Sequence, residues 1–242
     1  MKINSELIAR TSLRLLNDAG LDGLTMRLIA QELGVRAPTL YWHIKNKQQL
    51  LDAMATLVYV EAAERLEPPR GDVDWADRLA DWARHLRRVM LNYRDGARVL
   101  AGTYVNHPAV QGMSEQILRT LLDAGFTLGE AAHGFTAVLH YTIGYTIEEQ
   151  AHSSAAYGDD NPYAPERIAG GIDAERFPLT ARAAGDLLGL AGDASFEQGL
   201  RIVLRGMRAA RADHGSGVRG PDAGGSGVGG SGARGSGAGE PD

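Results

Sequence analysis

The 242-residue chain is expected to be all-α, with an N-terminal three-helix helix-turn-helix DNA-binding domain and a larger C-terminal helical body. Three observations point there. Apolar residues recur three and four apart in each periodic stretch, and the one strand-like segment, 97–105, would have no second strand to pair with. Residues 24–52, LTMRLIAQELGVRAPTLYWHIKNKQQLLD, hold two short helical patterns joined at a glycine, followed by a polar and aromatic run. Charge is uneven: residues 1–47 carry seven Lys and Arg against four Asp and Glu, a net +3 that leaves −8 for the rest of a chain of net −5. A small basic head on an acidic body suits contact with phosphates through the head alone.

Asn4 or Ser5 can open the first helix, in which Ile8, Ser12, Leu15, Leu16 and Ala19 share a face until Gly20. Thr25 can cap a helix through Leu33, and Gly34 tolerates the left-handed conformation that closes it. Pro38 stands where the next helix would start, and its missing N–H does no harm there. Asn46-Lys47-Gln48-Gln49 has the form of a capping box and opens a long helix to about Leu66, stopped by Pro68-Pro69. Asp74 caps a helix carrying Trp75, Leu79, Trp82, Leu86, Met90 and Tyr93, broken by Arg94-Asp95-Gly96. A short helix over 97–105, one from Pro108 to Asp123, and one from the Thr127–Glu130 capping box to about His152 follow. The last of these carries Ala132, Phe135, Thr136, Leu139, Ile143 and Ile147 at helical spacing.

Residues 153–176 lose periodicity and read as a long loop. Helices are expected at about 178–188 and 196–211. Beyond them residues 215–242 hold 12 Gly in 28 positions, too little apolar mass to recover their ordering entropy, so 212–242 reads as a disordered tail. A GxGxxG match at 225–230 is without context, since no strand precedes it and no helix follows.

Composition removes several classes. With no Cys there are no disulfides, thiolate metal sites or Cys nucleophiles, and a reducing compartment is compatible. No apolar run approaches the ~18 residues of a membrane span. The segment MKINSELIAR lacks the apolar core of a secretory signal, so a cytoplasmic location is expected.

Thr25, Arg27, Ala30, Gln31, Leu33, Gly34, Val35 and the run Pro38-Thr39-Leu40-Tyr41-Trp42-His43, with Lys45, Asn46 and Lys47, resemble the DNA-binding signature of the TetR family of bacterial repressors. The run PTLYWHIKNK is especially similar to the tetracycline-repressor branch. Trp75-Ala76, Arg94-Asp95-Gly96-Ala97, Gly102-Thr103, Gly125-Phe126 and residues 140–152 extend that similarity into the body. The resemblance implies a homodimer in which residues 1–47 read double-stranded operator DNA and 48–211 bind a small-molecule inducer and dimerise. The helices at 128–152 and 196–211 would pair with their symmetry mates in a four-helix bundle.

Arg27, Thr39, Tyr41 and His43 are expected to read sequence, and Lys47 to contact phosphate or base. Ala37 and Pro38 border the helix start. Ala37, taken as the cap, offers no side-chain oxygen, which would leave the Thr39 and Leu40 N–H groups to a phosphate. Trp42 is open between packing and base contact.

In the branch that the chain resembles, the drug arrives as a magnesium chelate bound by a His and, through water, by a Glu. Here that Glu is matched by Glu148, and Thr103 also matches, but Leu100 stands at the His position. Other polar positions fall on Ala63 and Trp82, and a Phe position on Leu86. A wall of Trp82, Leu86, Leu100 and Tyr104, with Phe135, favours an apolar or aromatic inducer, and Leu cannot ligate magnesium. No metal or cofactor is therefore expected. His140 and Glu148, eight apart on one helix, lie ~12 Å apart and cannot share an ion; Glu148 and His152, four apart, could. The alternatives are a helix-turn-helix regulator without a ligand and a hydrolase, for which His133 and His140 lack the intervening Glu of a zinc motif.

Overall fold

A computed structural model describes residues 3–64, 73–152, 161, 164–188 and 192–216. All regular structure among these residues is helical. Helix α1 (Ser5–Gly23) starts where Asn4 accepts the Leu7 N–H at 2.8 Å, and kinks at Gly20, whose φ of 67° only glycine adopts without strain. Helix α2 (Met26–Glu32) is capped by the Thr25 hydroxyl, and Gly34 at φ 67° turns the chain into α3 (Ala37–Tyr41). Ile8, Leu16, Leu24, Ile29, Leu40 and Ile44 close a core under these three helices.

Helix α4 (Lys47–Glu64) begins at the expected box: Asn46 accepts the Gln49 N–H, and Gln49 accepts the Lys45 N–H, both at 2.8 Å. Its 18 residues span about 27 Å. Leu50 and Met54 are buried in its first half and Val58 and Ala62 in its second. α4 therefore belongs to both packings, touching α1 on one side and the body helices α5 (Trp75–Leu91), α6 (Gly96–Leu100) and α7 (Pro108–Asp123) on the other.

Helix α8 (Leu128–His152) runs through the body against α5, α6 and α7, and α12 (Asp193–Ser216) lies along it. Its buried face is Ala131, Gly134, Val138, Thr142, Thr146 and Glu149, one residue out of phase with the expected one. The larger apolar residues Phe135, Leu139, Ile143 and Ile147 are only half-buried in a single chain. Thr142 and Thr146 satisfy their buried hydroxyls by returning them to the carbonyls one turn back, each at 2.7 Å.

Four boundaries differ from expectation. The 97–105 helix is only α6, because Gly102 at φ 71° ends it. The supposed loop contains α9 (Pro165–Gly170), opened by Pro165, and the 178–188 helix is two pieces, α10 (Pro178–Arg182) and α11 (Ala184–Leu188). The last helix continues past Arg211 to Ser216. The Gly-rich tail after Ser216, and most of 153–163, lie outside the described residues. Among the described residues no helix is long and apolar enough to cross a membrane.

Candidate functional site

In the head, local sequence puts the polar and aromatic run on the outside. α3 can bury only one face, and Leu40 takes it together with Ile44 beyond the helix end. Arg27, Pro38, Tyr41, His43 and Lys47 are left exposed, and Ala37 and Thr39 are half-buried. Trp42 is 85% exposed, which removes the packing reading and leaves a large aromatic face free for contact. The helix start is corrected by one residue. Arg36, not Ala37, is the cap, and its carbonyl accepts the Thr39 N–H at 2.9 Å, so that N–H is not free for a phosphate. Arg36, exposed at this start, adds a cation that the sequence reading left out.

The head is fastened to the body at the α5–α6 turn. Asp95, held at φ 58°, accepts the Leu21 N–H at 2.8 Å; Arg94 donates its N–H to Asn17 at 2.9 Å and its guanidinium to the Asp18 carbonyl at 3.0 Å. A Cβ on Gly20 would meet both Arg94 and Asp95 at 3.2 Å, so the kinked end of α1 is shaped to receive this turn. Arg98 reaches Asp22 at 3.3 Å and holds its carboxyl below the usual range. From the other side Gln150 of α8 grips the same turn. Its amide donates to the carbonyls of Met90 and Tyr93 and accepts the Ala97 N–H, at 3.2, 2.8 and 3.0 Å.

In the body, Trp82, Leu86 and Leu100 are all buried in the apolar core, as are Met113 and Ile117 of α7, and the Trp82 indole meets the Met113 sulfur. The Phe135 ring centroid lies 4.9 Å from that of Trp82. Ala63 is half-buried on α4, and Thr103 is half-buried with its hydroxyl donated to the Leu100 carbonyl at 2.8 Å. Two expected members stand apart. Tyr104 is 78% exposed, because the turn at Gly102 takes the chain outward before it. Glu148 is exposed too, and its carbonyl, not its carboxylate, meets the His152 ring nitrogen. Among the described residues no three His, Asp or Glu side chains converge to hold a metal ion. The sequence reading passed over Gln116, one turn beyond Met113, whose buried Oε1 has no hydrogen-bond partner among the described residues.

The other face of α5 grips the start of α12. Arg87, 6% exposed, donates from the Nε–Nη2 edge of its guanidinium to both oxygens of Glu149 at 2.8 and 2.5 Å, donates from Nη1 to Asp193 at 2.7 Å, and lies 4.9 Å from the Phe196 ring centre. Arg84 pairs with Glu197 at 2.6 and 2.7 Å. Tyr141 and Tyr145 donate to the Phe196 and Gly192 carbonyls at 2.8 and 2.9 Å. The Tyr141 phenol is pushed up to about 12, chiefly by burial.

Two family models match this chain: "Bacterial regulatory proteins, tetR family" over residues 8–54, and "Tetracyclin repressor-like, C-terminal domain" over residues 67–211. The chain belongs to the TetR family. The first match spans the exposed run of α3, and the second spans the Trp82 cluster and the α12 grip. The tetracycline repressor protein class A from transposon 1721 of Escherichia coli is 41% identical over 213 residues, 87% of this chain and 93% of that one. The structure of a possible TetR family transcriptional regulator from Streptomyces coelicolor is 38% identical at a TM-score of 0.76, over 86% of this chain and all of that one. ActR of S. coelicolor in complex with actinorhodin is 28% identical at a TM-score of 0.75, covering 87% and 99%. As a TetR-family protein, the chain is a ligand-responsive DNA-binding regulator of transcription.

The α12 grip in this TetR-family chain gives a pH prediction. Arg84 holds the Glu197 carboxyl below its ordinary value. A depressed carboxyl contributes stability above its unfolded value, and that contribution disappears as pH falls through the depressed one. Glu197→Gln should therefore lower the melting temperature modestly at neutral pH, since the pair is part exposed. The gap to the unsubstituted protein should close on acidification below the ordinary Glu range, as read by thermal melts at stepped pH.

Proposed function

We propose that this chain is a homodimeric repressor that holds a palindromic operator and releases it when a mostly apolar, aromatic inducer enters the Trp82 cluster. In this reading residues 1–47 read DNA and residues 48–211 bind the inducer and dimerise. The carrying observation is α4: one uninterrupted helix shared by the head that presents Arg27, Thr39, Tyr41, Trp42, His43 and Lys47 and by the body that holds Trp82, Leu86 and Leu100. A rigid element common to two packings is what a change in one needs to be felt in the other. The exposed Leu128 of α8 and Ile202 of α12, with Phe135, Leu139, Ile143 and Ile147 half-buried along α8, support an isologous bundle with a second copy. The protein would act in the cytoplasm, where its DNA is, and not as an enzyme.

No divalent cation is needed for release in this reading. Leu100 offers no ligand, and Glu148 is exposed on α8. In this the chain would depart from the magnesium-chelate pattern of the branch that it resembles.

The test is operator release by aromatic ligands with and without excess EDTA. Release should be unaffected by EDTA; release only when magnesium is present would restore a metal route through Glu148. Two variants separate the functions. Arg27→Ala should weaken operator binding by about 1–3 kcal/mol if Arg27 meets a base edge, and chiefly flatten the salt dependence if it meets phosphate. Trp82→Ala should blunt release while leaving operator affinity nearly intact.

A further inference from the structure

The surroundings of Trp82 are mostly apolar, and its own polar group is oddly partnered. Trp82 is 2% exposed, so its indole N–H must find an acceptor inside the protein. It donates to the Met113 Sδ at 3.1 Å. A thioether is among the weakest acceptors a side chain provides. Met113 is also the most adaptable neighbour: unbranched, with three rotatable bonds, and placed on α7 beside the more rigid Ile117. Leu86, Leu100 and Phe135 have no side-chain acceptor, and the Thr103 hydroxyl is already donated to a carbonyl.

We infer that Met113 is a placeholder, and that the inducer carries a carbonyl-type oxygen on a flat apolar frame which takes the Trp82 N–H from it. This rests on the reading of the Trp82 cluster as the ligand wall. An indole N–H donates and cannot accept, so it selects a ligand oxygen with a lone pair to offer and rejects an ammonium, which can only donate. A carbonyl oxygen exchanges a weak buried hydrogen bond for an ordinary one, and the leaving methionine side chain makes the room. The few polar groups of such a site fix the ligand's orientation while apolar area holds it. Here the acceptor end would point at α7, with the flat frame against Leu86, Leu100 and Phe135.

A matched pair of probes tests this: 2-acetonaphthone and 2-ethylnaphthalene, which differ by one carbonyl oxygen. Binding is measured by calorimetry on the full-length protein, with circular dichroism confirming that each variant is folded. The ketone should bind about five- to tenfold more tightly than the hydrocarbon. Trp82→Phe keeps an aromatic wall without the N–H and should abolish or reverse that preference. Met113→Leu removes the competing sulfur at similar volume and should widen it. If the ratio of the two affinities is the same in all three proteins, the placeholder inference fails and the wall stands. If neither probe binds the unsubstituted protein while operator binding is intact, the wall fails and the inference with it.

Discussion

Arg87→Ala is expected to destabilise the protein by about 3–5 kcal/mol, because it removes the cation that faces both oxygens of the buried Glu149 carboxylate. Glu149 is 8% exposed, and its two oxygens accept from Nε and Nη2 of the Arg87 guanidinium. Removing the cation also takes away a planar group from beside Phe196 and the bond to Asp193. The loss should be felt most at the start of α12, which α5 and α8 hold through this arginine. The pair as a whole need not be strongly stabilising, since two ions had to leave water to form it. The double variant Arg87→Met, Glu149→Leu should therefore recover most of the loss. Denaturant titrations of the two singles and the double give the coupling directly. A single Arg87→Ala that melted like the unsubstituted protein would mean that water reaches Glu149 freely.

Gly96→Ala is expected to be comparably severe, at about 3 kcal/mol or more. A Cβ there would lie 2.2 Å from the Met90 carbonyl oxygen, a backbone atom. That carbonyl cannot step aside cheaply, because it also accepts from Gln150 and from the Tyr93 N–H, both at 3.2 Å. Any relief must shift the Arg94-Asp95 turn, which is what Leu21 and Asn17 of the head bind. Gly96→Ala should thus cost operator affinity even at temperatures where the body remains helical. Gly129→Ala, where a Cβ meets nothing within 4 Å, is the control expected to change neither melting nor DNA binding.

The head was the most legible part of the chain because its punctuation is local. Thr25, Gly34, Pro38 and Asn46 act within four residues of themselves, and each sits at a boundary of α2, α3 or α4. The cap of α3 was misplaced by one residue because Arg36 caps only with its backbone, which leaves no side-chain signal. In the body, helical spacing marked Trp82 and Leu86 as one buried face of α5, but the exposure of Tyr104 was not legible, since a single turn at Gly102 decides which way it faces.

The Arg87–Glu149 pair joins residues 62 apart, and nothing near Arg87 in HLRRVM distinguishes it from its neighbour Arg88. One signal was available. Following the helical phase through Val138, Thr142 and Thr146 puts Glu149 inward and Glu148 outward. Reading the larger apolar residues as the buried face hid that phase, because those residues are the ones left half-covered in a single chain.

The central claim, a symmetric pair of heads reading DNA under control of the body, is tested most directly by footprinting the purified protein on the DNA upstream of its own gene. Two protected half-sites should appear, related by a dyad, with centres about one helical turn or slightly more apart. Protection should weaken steeply as salt rises, because the heads neutralise phosphates. Protection of a single asymmetric half-site, at concentrations where the protein is dimeric, would contradict the account.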